Sequence, residues 1–521
     1  MTTEKGSDPG GPGKTIQYSP GANHRLIMNW TSLFGLFLIG TGLFTGGTTL
    51  ALDYFAAVSL AYSGILYLVY LILVIIGLMV VLAGVLLEAR RRRHRGYERD
   101  RPDLVIDLRR AAHRYALGGF LMSAMLLVMG MAAGSYQIYH ATESNEFCGY
   151  MCHQVMRPEA ITYSYSSHAR VKCVECHIGS GAEWYVRSKL SGLRQVWAVM
   201  ANHFPRPVPT PIVNLRPARE TCEQCHWPKK FIGYKEVVRN YFRSDEQNSP
   251  YRVRMVMKIG GEETSLMKGS GIHYHMLLAS TVEYIARDLS RQDIPYVRIL
   301  HENGKEEVFE DIKKPLTAEE KATLPRRKMD CMDCHNRPSH QFPTPMSLVN
   351  QALEGGSVDR TLPFIKIQAV KALDEKYETT TEALLGIENT ILDYYEKNYP
   401  KVFKSESVAL ARTITSIQSI YQRSMFPEMK AGYFSYPDNL GHRDWPGCFR
   451  CHNDKLKTVE GNSIFTTCNK CHLIIAQGKD VTQVSVDIEK GLEFIHPDGD
   501  DAMDEYTECN ECHTGGISVY E

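Results

Sequence analysis

Three long apolar runs without a charged residue dominate the first 140 positions of the chain. They cover residues 26–52, 54–87 and 115–139. Because about 20 apolar residues in a helix cross a bilayer, this pattern predicts three transmembrane helices within residues 26–140. Residues 1–25 are polar, rich in glycine and proline, and carry no signal-peptide pattern. They are predicted to form a polar cytoplasmic tail.

The segment between the second and third apolar runs predicts the orientation. Residues 89–114 contain ten arginines and four acidic residues. Short arginine-rich loops stay in the cytoplasm, so the third helix should run outward. We therefore expect a multi-pass protein of the bacterial inner membrane, with everything after His140 in the periplasm.

After residue 140 the polar and apolar positions indicate short elements of both kinds. Residues 251–259 alternate as in a half-buried strand, and Asn303-Gly304 stands between two strand-like arms, which predicts a hairpin. Thr317 begins a capping box, and residues 383–399 have a helical pattern. The expected fold is mainly α, with a three-helix membrane anchor and a small β insertion.

The cysteines change this picture, because all 14 fall into seven pairs and each pair is followed by histidine. Six pairs have the spacing Cys-x-x-Cys-His, in which two thiols bind the haem vinyl groups and the histidine ligates iron. Disulfides need no such histidine, and zinc sites built from two pairs would leave one pair over. The sequence therefore predicts seven covalent haem c groups, numbered one to seven along the chain. Their cysteines are Cys148/Cys152, Cys173/Cys176, Cys222/Cys225, Cys331/Cys334, Cys448/Cys451, Cys468/Cys471 and Cys509/Cys512, and their proximal ligands are His153, His177, His226, His335, His452, His472 and His513.

The uneven spacing of these motifs predicts three periplasmic modules. Residues 141–230 hold haems one to three, residues 231–440 form a linking module with haem four, and residues 441–521 hold the last three haems. We expect the macrocycles to form much of the core. The chain has 59 basic and 59 acidic residues and shows no P-loop or dinucleotide fingerprint. We expect no nucleic-acid partner.

Histidines outside the motifs are candidates for the second axial ligand of each iron, a position usually taken by His or Met. His168, His340 and His442 lie within six residues of a motif, and His203 and His496 are further candidates. One of His273 and His275 should also ligate, with the other beside it, whereas His140 and His301 are predicted to be structural. Haem one is then left with either Met156 or an open site.

The motifs resemble those of the NapC/NirT family of membrane-anchored multihaem quinol dehydrogenases. The resemblance rests on "FCGYMCHQVMRPE", "SHARVKCVECHIGSGAEWYVRSKL" and "CEQCH", and covers roughly residues 115–230. The remaining motifs, "CMDCHNRPSHQFPTP", "GHRDWPGCFRCH" and "CNECHTGG", are similar to those of the seven-haem inner-membrane cytochromes of metal-reducing bacteria, the ImcH type. The resemblance implies quinol oxidation at the periplasmic face, with electrons passed to periplasmic c-type cytochromes or other soluble carriers in anaerobic or extracellular respiration.

The resemblance also implies a quinol site beside haem one that contains Lys189, twelve residues after His177. A family carboxylate expected six or seven residues later is replaced by Gln195 and Val196. The residues themselves point to the same region, because residues 182–200 mix tryptophan and tyrosine with basic residues, as at a membrane interface. Lys189 would act as a fixed cation that favours the quinolate formed as protons leave.

Two other functions remain open at this point. A terminal reductase of a small substrate, such as nitrite or hydroxylamine, would need a haem with an open iron face. A passive electron-transfer or anchor subunit of a larger complex would need no quinol site.

Overall fold

The computed structural model describes residues 29–55, 63–94, 108–151, 153–179, 182–212, 216–227, 231–260, 271–277, 281–301, 303–464, 467–479, 483–484, 490–497 and 508–517. The predicted tail 1–25 and the middle of the arginine-rich segment lie outside these residues. The chain divides into two compact units, with the boundary after Glu146.

The first unit consists of three long helices, α1 (Trp30–Phe55), α2 (Ser63–His94) and α3 (Ala111–Thr142). In the described part of the chain, two stretches are long and apolar enough to cross a membrane, Trp30–Gly47 in α1 and Val69–Arg91 in α2. The third predicted span, 115–139, lies within α3, which is a continuous helix. A membrane crossing by α3 stays a prediction.

Helices α1 and α2 pack closely because glycines face each other across their interface. A Cβ added to Gly35 would lie 2.7 Å from the carbonyl oxygen of Gly77, and a Cβ added to Gly77 would lie 2.8 Å from that of Gly35. Asn29 adds a polar contact by donating from Nδ2 to the Gly84 carbonyl at 3.2 Å. Small residues at such positions allow the backbones of membrane helices to approach.

The second unit contains short helices, two antiparallel sheets and several single turns. Its helices are α4 (His153–Ser164), α5 (Cys173–His177), α6 (Ala182–Met200), α7 (Ala218–Cys222), α8 (Tyr274–Leu277), α9 (Ala318–Thr323), α10 (Cys331–Cys334), α11 (Pro345–Glu354), α12 (Ile365–Asp374), α13 (Thr380–Asn398), α14 (Pro400–Ser405), α15 (Ser407–Ser424) and α16 (Cys509–Cys512). Its strands are β1 (Gly233–Phe242), β2 (Pro250–Gly260), β3 (Thr281–Ile285), β4 (Tyr296–Leu300), β5 (Glu306–Asp311), β6 (Arg327–Lys328), β7 (Leu456–Lys457), β8 (His472–Gly478) and β9 (Gln483–Val484). The turns are a π-helical one, Phe147–Met151, and four of 3₁₀ type, Pro427–Met429, Tyr433–Ser435, Gly447–Arg450 and Cys468–Lys470.

The local sequence predictions for this unit are confirmed. The predicted strand 251–259 lies within β2, and Asn303-Gly304 lies between the paired strands β4 and β5. Thr317 caps α9 in a capping box with Glu320, and the helical pattern 383–399 corresponds to α13.

Both sheets join parts of the chain that the sequence assigned to different modules. The four-stranded sheet has the order β1-β2-β8-β9, and the five-stranded sheet has the order β6-β3-β4-β5-β7. Strands β7 to β9 follow residue 440, whereas their partners β2 and β5 precede it. The predicted linking and C-terminal modules therefore share two sheets.

Residues 345–424, which contain no haem motif, supply most of one apolar core, to which Phe242 of β1 and Met425 also belong. Val349, Ile365, Ile391 and Ile417 have no exposed surface there. Helix α13 shows why this part is helical, because Ala383, Ile387, Ile391 and Tyr395 recur every four residues and are all buried on one face. In this segment apolar side chains pack against one another, and no haem motif of its own contributes to the core.

Candidate haem-binding sites

The regular motifs fold into single turns that bring two thiols and one imidazole together. In four of them the backbone N–H of the motif histidine donates to the carbonyl of the first cysteine, four residues earlier. These hydrogen bonds join His226 to Cys222 (2.8 Å), His335 to Cys331 (2.8 Å), His452 to Cys448 (3.0 Å) and His513 to Cys509 (2.8 Å). One helical turn places residues i and i+4 on the same side, so the spacing of the motif and its local structure agree.

Six of the seven motif histidines face a second histidine from elsewhere in the chain. The pairs, with the distance between ring centres, are His177 and His340 (6.2 Å), His226 and His168 (6.0 Å), His335 and His273 (6.4 Å), His452 and His275 (5.7 Å), His472 and His442 (6.2 Å), and His513 and His496 (6.0 Å).

These distances fit one iron between the two rings of each pair. A bond from a first-row metal to an imidazole nitrogen is about 2 Å long and the ring centre lies about 1.1 Å further, so two axial imidazoles have centres roughly 6.2 Å apart. The side chains present therefore suit six haems, each with two histidine ligands.

Hydrogen bonds orient three of the distal histidines. His340 Nδ1 lies 2.9 Å from the carbonyl of Glu159, His168 Nδ1 lies 3.2 Å from that of Pro338, and His273 Nδ1 lies 3.1 Å from that of Ile259. Because a carbonyl only accepts, Nδ1 carries the proton and Nε2 keeps its lone pair for a metal.

Burial also keeps several of these rings neutral, the form that binds a metal. Burial lowers the pKa of His340 to about 4. It lowers the pKa of His275 to about 4 as well, with the neighbouring His452 as the next cause. The pKa values of His177 and His442 are lowered by burial too. At neutral pH these imidazoles are ready to bind iron without losing a proton.

The distal candidates differ from the sequence prediction at one place. His273 and His275 each face a different motif histidine, whereas only one of them was expected to ligate. His203 is exposed just after α6, and within the described residues its ring meets no motif histidine. Six distal histidines thus face motifs two to seven. The side chain of His153 lies outside the described residues, so the second axial ligand of haem one stays a prediction.

The motifs are neighbours in the order in which they occur along the chain. The thiols of Cys222 and Cys331, of motifs three and four, interact with each other, which raises the pKa of Cys222 and lowers that of Cys331 to about 7. Elsewhere burial is the first cause of a raised thiol pKa, and the charge of a cysteine in the adjacent motif contributes after it. These electrostatic interactions link Cys176 with Cys225, Cys334 with Cys448, Cys471 with Cys448, and Cys509 with Cys468. They connect motifs two to seven in the order of the sequence.

The irregular first motif begins in the π-helical turn Phe147–Met151. A π turn holds one residue more than an α turn, which accommodates the extra residue between the two cysteines. Cys152 and the side chain of His153 lie outside the described residues. Met156 is half-buried on α4, and its ligation of haem one stays a prediction.

Lys189 lies beside the first motif. It extends from α6, and its Nζ lies 5.8 Å from the ring centre of Phe147, the residue before Cys148. On the same helix Trp197 is 70% exposed, and the Arg187 guanidinium lies 5.5 Å from the half-buried ring of Trp184. Helix α6, which carries the exposed Trp197, thus places the ammonium group of Lys189 next to the haem-one motif.

Sequence reasoning missed a buried charged cluster between motifs four and five. Asp333 of motif four accepts from Tyr284 (2.6 Å), Arg291 (2.9 Å) and Arg327 (2.7 Å). Arg450 of motif five donates to the backbone carbonyl of Asp333 at 2.7 Å. Both residues occupy variable positions inside their motifs, so no sequence pattern singles them out.

Comparisons with known proteins identify the family. The family model for the NapC/NirT cytochrome c family, N-terminal region, matches residues 110–207. The chain is 40% identical over 492 residues to the cytochrome c-type protein ImcH of Geobacter sulfurreducens, which covers 94% of this chain and 95% of that protein. The chain belongs to the ImcH family of NapC/NirT cytochromes c.

The cytochrome c-type protein NrfH of Wolinella succinogenes is 25% identical over 146 residues, or 26% of this chain and 81% of that protein. No solved structure matches. As a member of the ImcH family, the chain is a membrane-associated multihaem cytochrome c of electron transport. The histidine pairs and thiol interactions described above lie mostly beyond the part that the NapC/NirT model matches.

Proposed function

We propose that this protein is a quinol dehydrogenase, which oxidises membrane quinol at the periplasmic face of the inner membrane. It would pass the electrons through seven haem c groups to periplasmic c-type cytochromes or other soluble carriers. The observation that carries this proposal is the position of Lys189, beside the haem-one motif on a helix with the exposed Trp197. A quinol head group needs such an amphipathic place, where aromatic residues and a cation stand near a redox centre.

The role of Lys189 is electrostatic. As a quinol loses its protons, negative charge develops on its oxygen, and a fixed ammonium group nearby stabilises that charge. Bound haem c supplies sites that accept and release one electron at a time. An arrangement of these sites in series is supported by the electrostatic interactions that link the thiols of motifs two to seven in order.

The same geometry argues against a terminal reductase of a small substrate. Such an enzyme binds its substrate to an open iron face, and six of the motif histidines already face a second histidine. Haem one is left, and its motif lies beside Lys189. A passive anchor subunit would need no cation at that place.

The test is turnover of the purified protein with a quinol analogue and a soluble cytochrome acceptor. Lys189→Gln should slow quinol oxidation by tenfold or more, which is about 1.4 kcal/mol of lost stabilisation, and leave the haem spectrum unchanged. Arg194→Gln, which removes an exposed cation from the same helix, is the matched control and should keep normal turnover. Normal turnover of Lys189→Gln would move the quinol site elsewhere, and no turnover of the unaltered protein would favour a passive subunit.

A further inference from the structure

A buried guanidinium group lies between the attachment motifs of haems four and five. Arg450 belongs to motif five, Cys448–Phe449–Arg450–Cys451–His452, and only 9% of its surface is exposed. It donates from Nε to the carbonyl of Gly447 at 2.8 Å, from Nη1 to that of Arg291 at 2.8 Å, and from Nη2 to that of Asp333 at 2.7 Å.

All three acceptors are neutral backbone carbonyls. Within the described part of the chain, no carboxylate forms an ion pair with Arg450. The carboxylate of Asp333, whose backbone carbonyl Arg450 contacts, instead pairs with Arg291 at 2.9 Å and Arg327 at 2.7 Å. The charge of Arg450 is therefore satisfied by hydrogen bonds but not neutralised.

The guanidinium group of Arg450 touches both neighbouring motifs. Arg450 itself stands between Cys448 and Cys451 of motif five. Its Nη2 reaches the carbonyl of Asp333, which stands between Cys331 and Cys334 of motif four, at 2.7 Å. One buried positive charge is therefore in contact with the attachment motifs of two successive haems.

We propose that Arg450 raises the reduction potentials of haems four and five above those of haems three and six, so that this central pair holds the two electrons of one quinol. The inference rests on the haem series of the proposed function. Ferric haem carries one positive charge more than ferrous haem, so a nearby buried cation disfavours the oxidised form. In a poorly solvated interior this interaction is much stronger than in water.

Haem-resolved redox titration of the holoprotein with a chemical reductant tests the idea without any quinol. In the unaltered protein, haems four and five should titrate above haems three and six. Haem four is identified by the spectral change that His273→Met produces, and haem five by the change that His275→Met produces. If haems four and five do not lie above their neighbours, the proposal is wrong.

Variants at Arg450 separate charge from structure. Arg450→Gln should lower the ratio of reduced to oxidised haem at one or both of these sites at least tenfold at a fixed potential, a shift of about 59 mV for one electron. Arg450→Lys keeps the positive charge but loses the planar guanidinium group. In this variant the reduction potentials of haems four and five should stay close to those of the unaltered protein. Arg412→Gln, which removes a cation that is 64% exposed in its side chain, should change neither haem.

If the reduction potentials fall equally in Arg450→Gln and Arg450→Lys, Arg450 only holds the two motifs together. That result would overturn the electrostatic proposal. Intact mass spectrometry should show seven haems in each variant before its potentials are compared. If Arg450→Gln loses haem, the proposal is judged by the unaltered protein alone, in which haems four and five must titrate above haems three and six. A quinol site in another place would not change these potentials, so failure of the two proposals can be distinguished.

Discussion

At the scale of single residues, one short helix, α8, and the residue before it supply histidines to two candidate haem sites. His273 precedes α8 and His275 lies within it, and the two imidazoles face His335 and His452 respectively. Residues two apart along a turn of helix point in different directions, so one "HYH" sequence can reach two neighbouring irons. This arrangement keeps haems four and five close together.

The histidine assignments predict contrasting effects of two substitutions. His275→Ala should leave one iron without its second axial imidazole and convert one low-spin haem to a high-spin form. His203→Ala should leave the spectrum unchanged, because His203 is exposed and its ring meets no described motif histidine. Electron paramagnetic resonance and the visible spectrum measure both outcomes. A lost low-spin signal in His203→Ala would make His203 a ligand after all.

The sequence indicated which histidines are candidate distal ligands, but it did not indicate which motif histidine each one faces. His340 lies five residues after His335 but faces His177, and His168 lies five residues before Cys173 but faces His226. A histidine so close in sequence to one motif histidine is held near that residue, and its ring faces the histidine of a neighbouring motif instead. Only the fold determines which motif that is.

At the scale of secondary structure elements, short-range signals were reliable and long-range pairing was not. The capping box at Thr317 and the hairpin at Asn303-Gly304 depend on residues within a few positions. Strand β8 begins at His472 and pairs with β2, more than 200 residues earlier. Its continuous apolar run fits a buried strand or a buried helix, so the sequence alone could not specify this pairing.

The helices of residues 345–424 should respond to core mutations independently of the haems. Ile391→Ala removes a fully buried side chain on α13 and should lower the free energy of unfolding by about 2–5 kcal/mol. Leu385→Ala, on the same helix but 59% exposed, is the control and should have little effect. Urea denaturation followed by far-UV circular dichroism measures the change. The Soret band of the haems, followed in the same titration, should keep its urea midpoint. If the Soret and circular dichroism midpoints shift together, the core does not unfold independently of the haems.

At the scale of the whole molecule, electrostatic interactions between thiols link the candidate haem sites in one series. They connect motifs two to seven in the order of the sequence, from Cys176 and Cys225 through to Cys468 and Cys509. Electrons entering at haem one would therefore pass each site in turn.

This linear order predicts that removing haem five divides the protein into two electronic halves. Replacing both Cys448 and Cys451 by serine abolishes attachment there, and electron tunnelling slows steeply when the gap between neighbouring haems widens. Stopped-flow reduction by a quinol analogue should then reduce haems one to four quickly and haems six and seven slowly. Serine at Cys509 and Cys512 removes only the last haem, so in this control all six remaining haems should be reduced quickly. Fast reduction of all six haems in the variant that lacks haem five would show a branched path and refute the linear order.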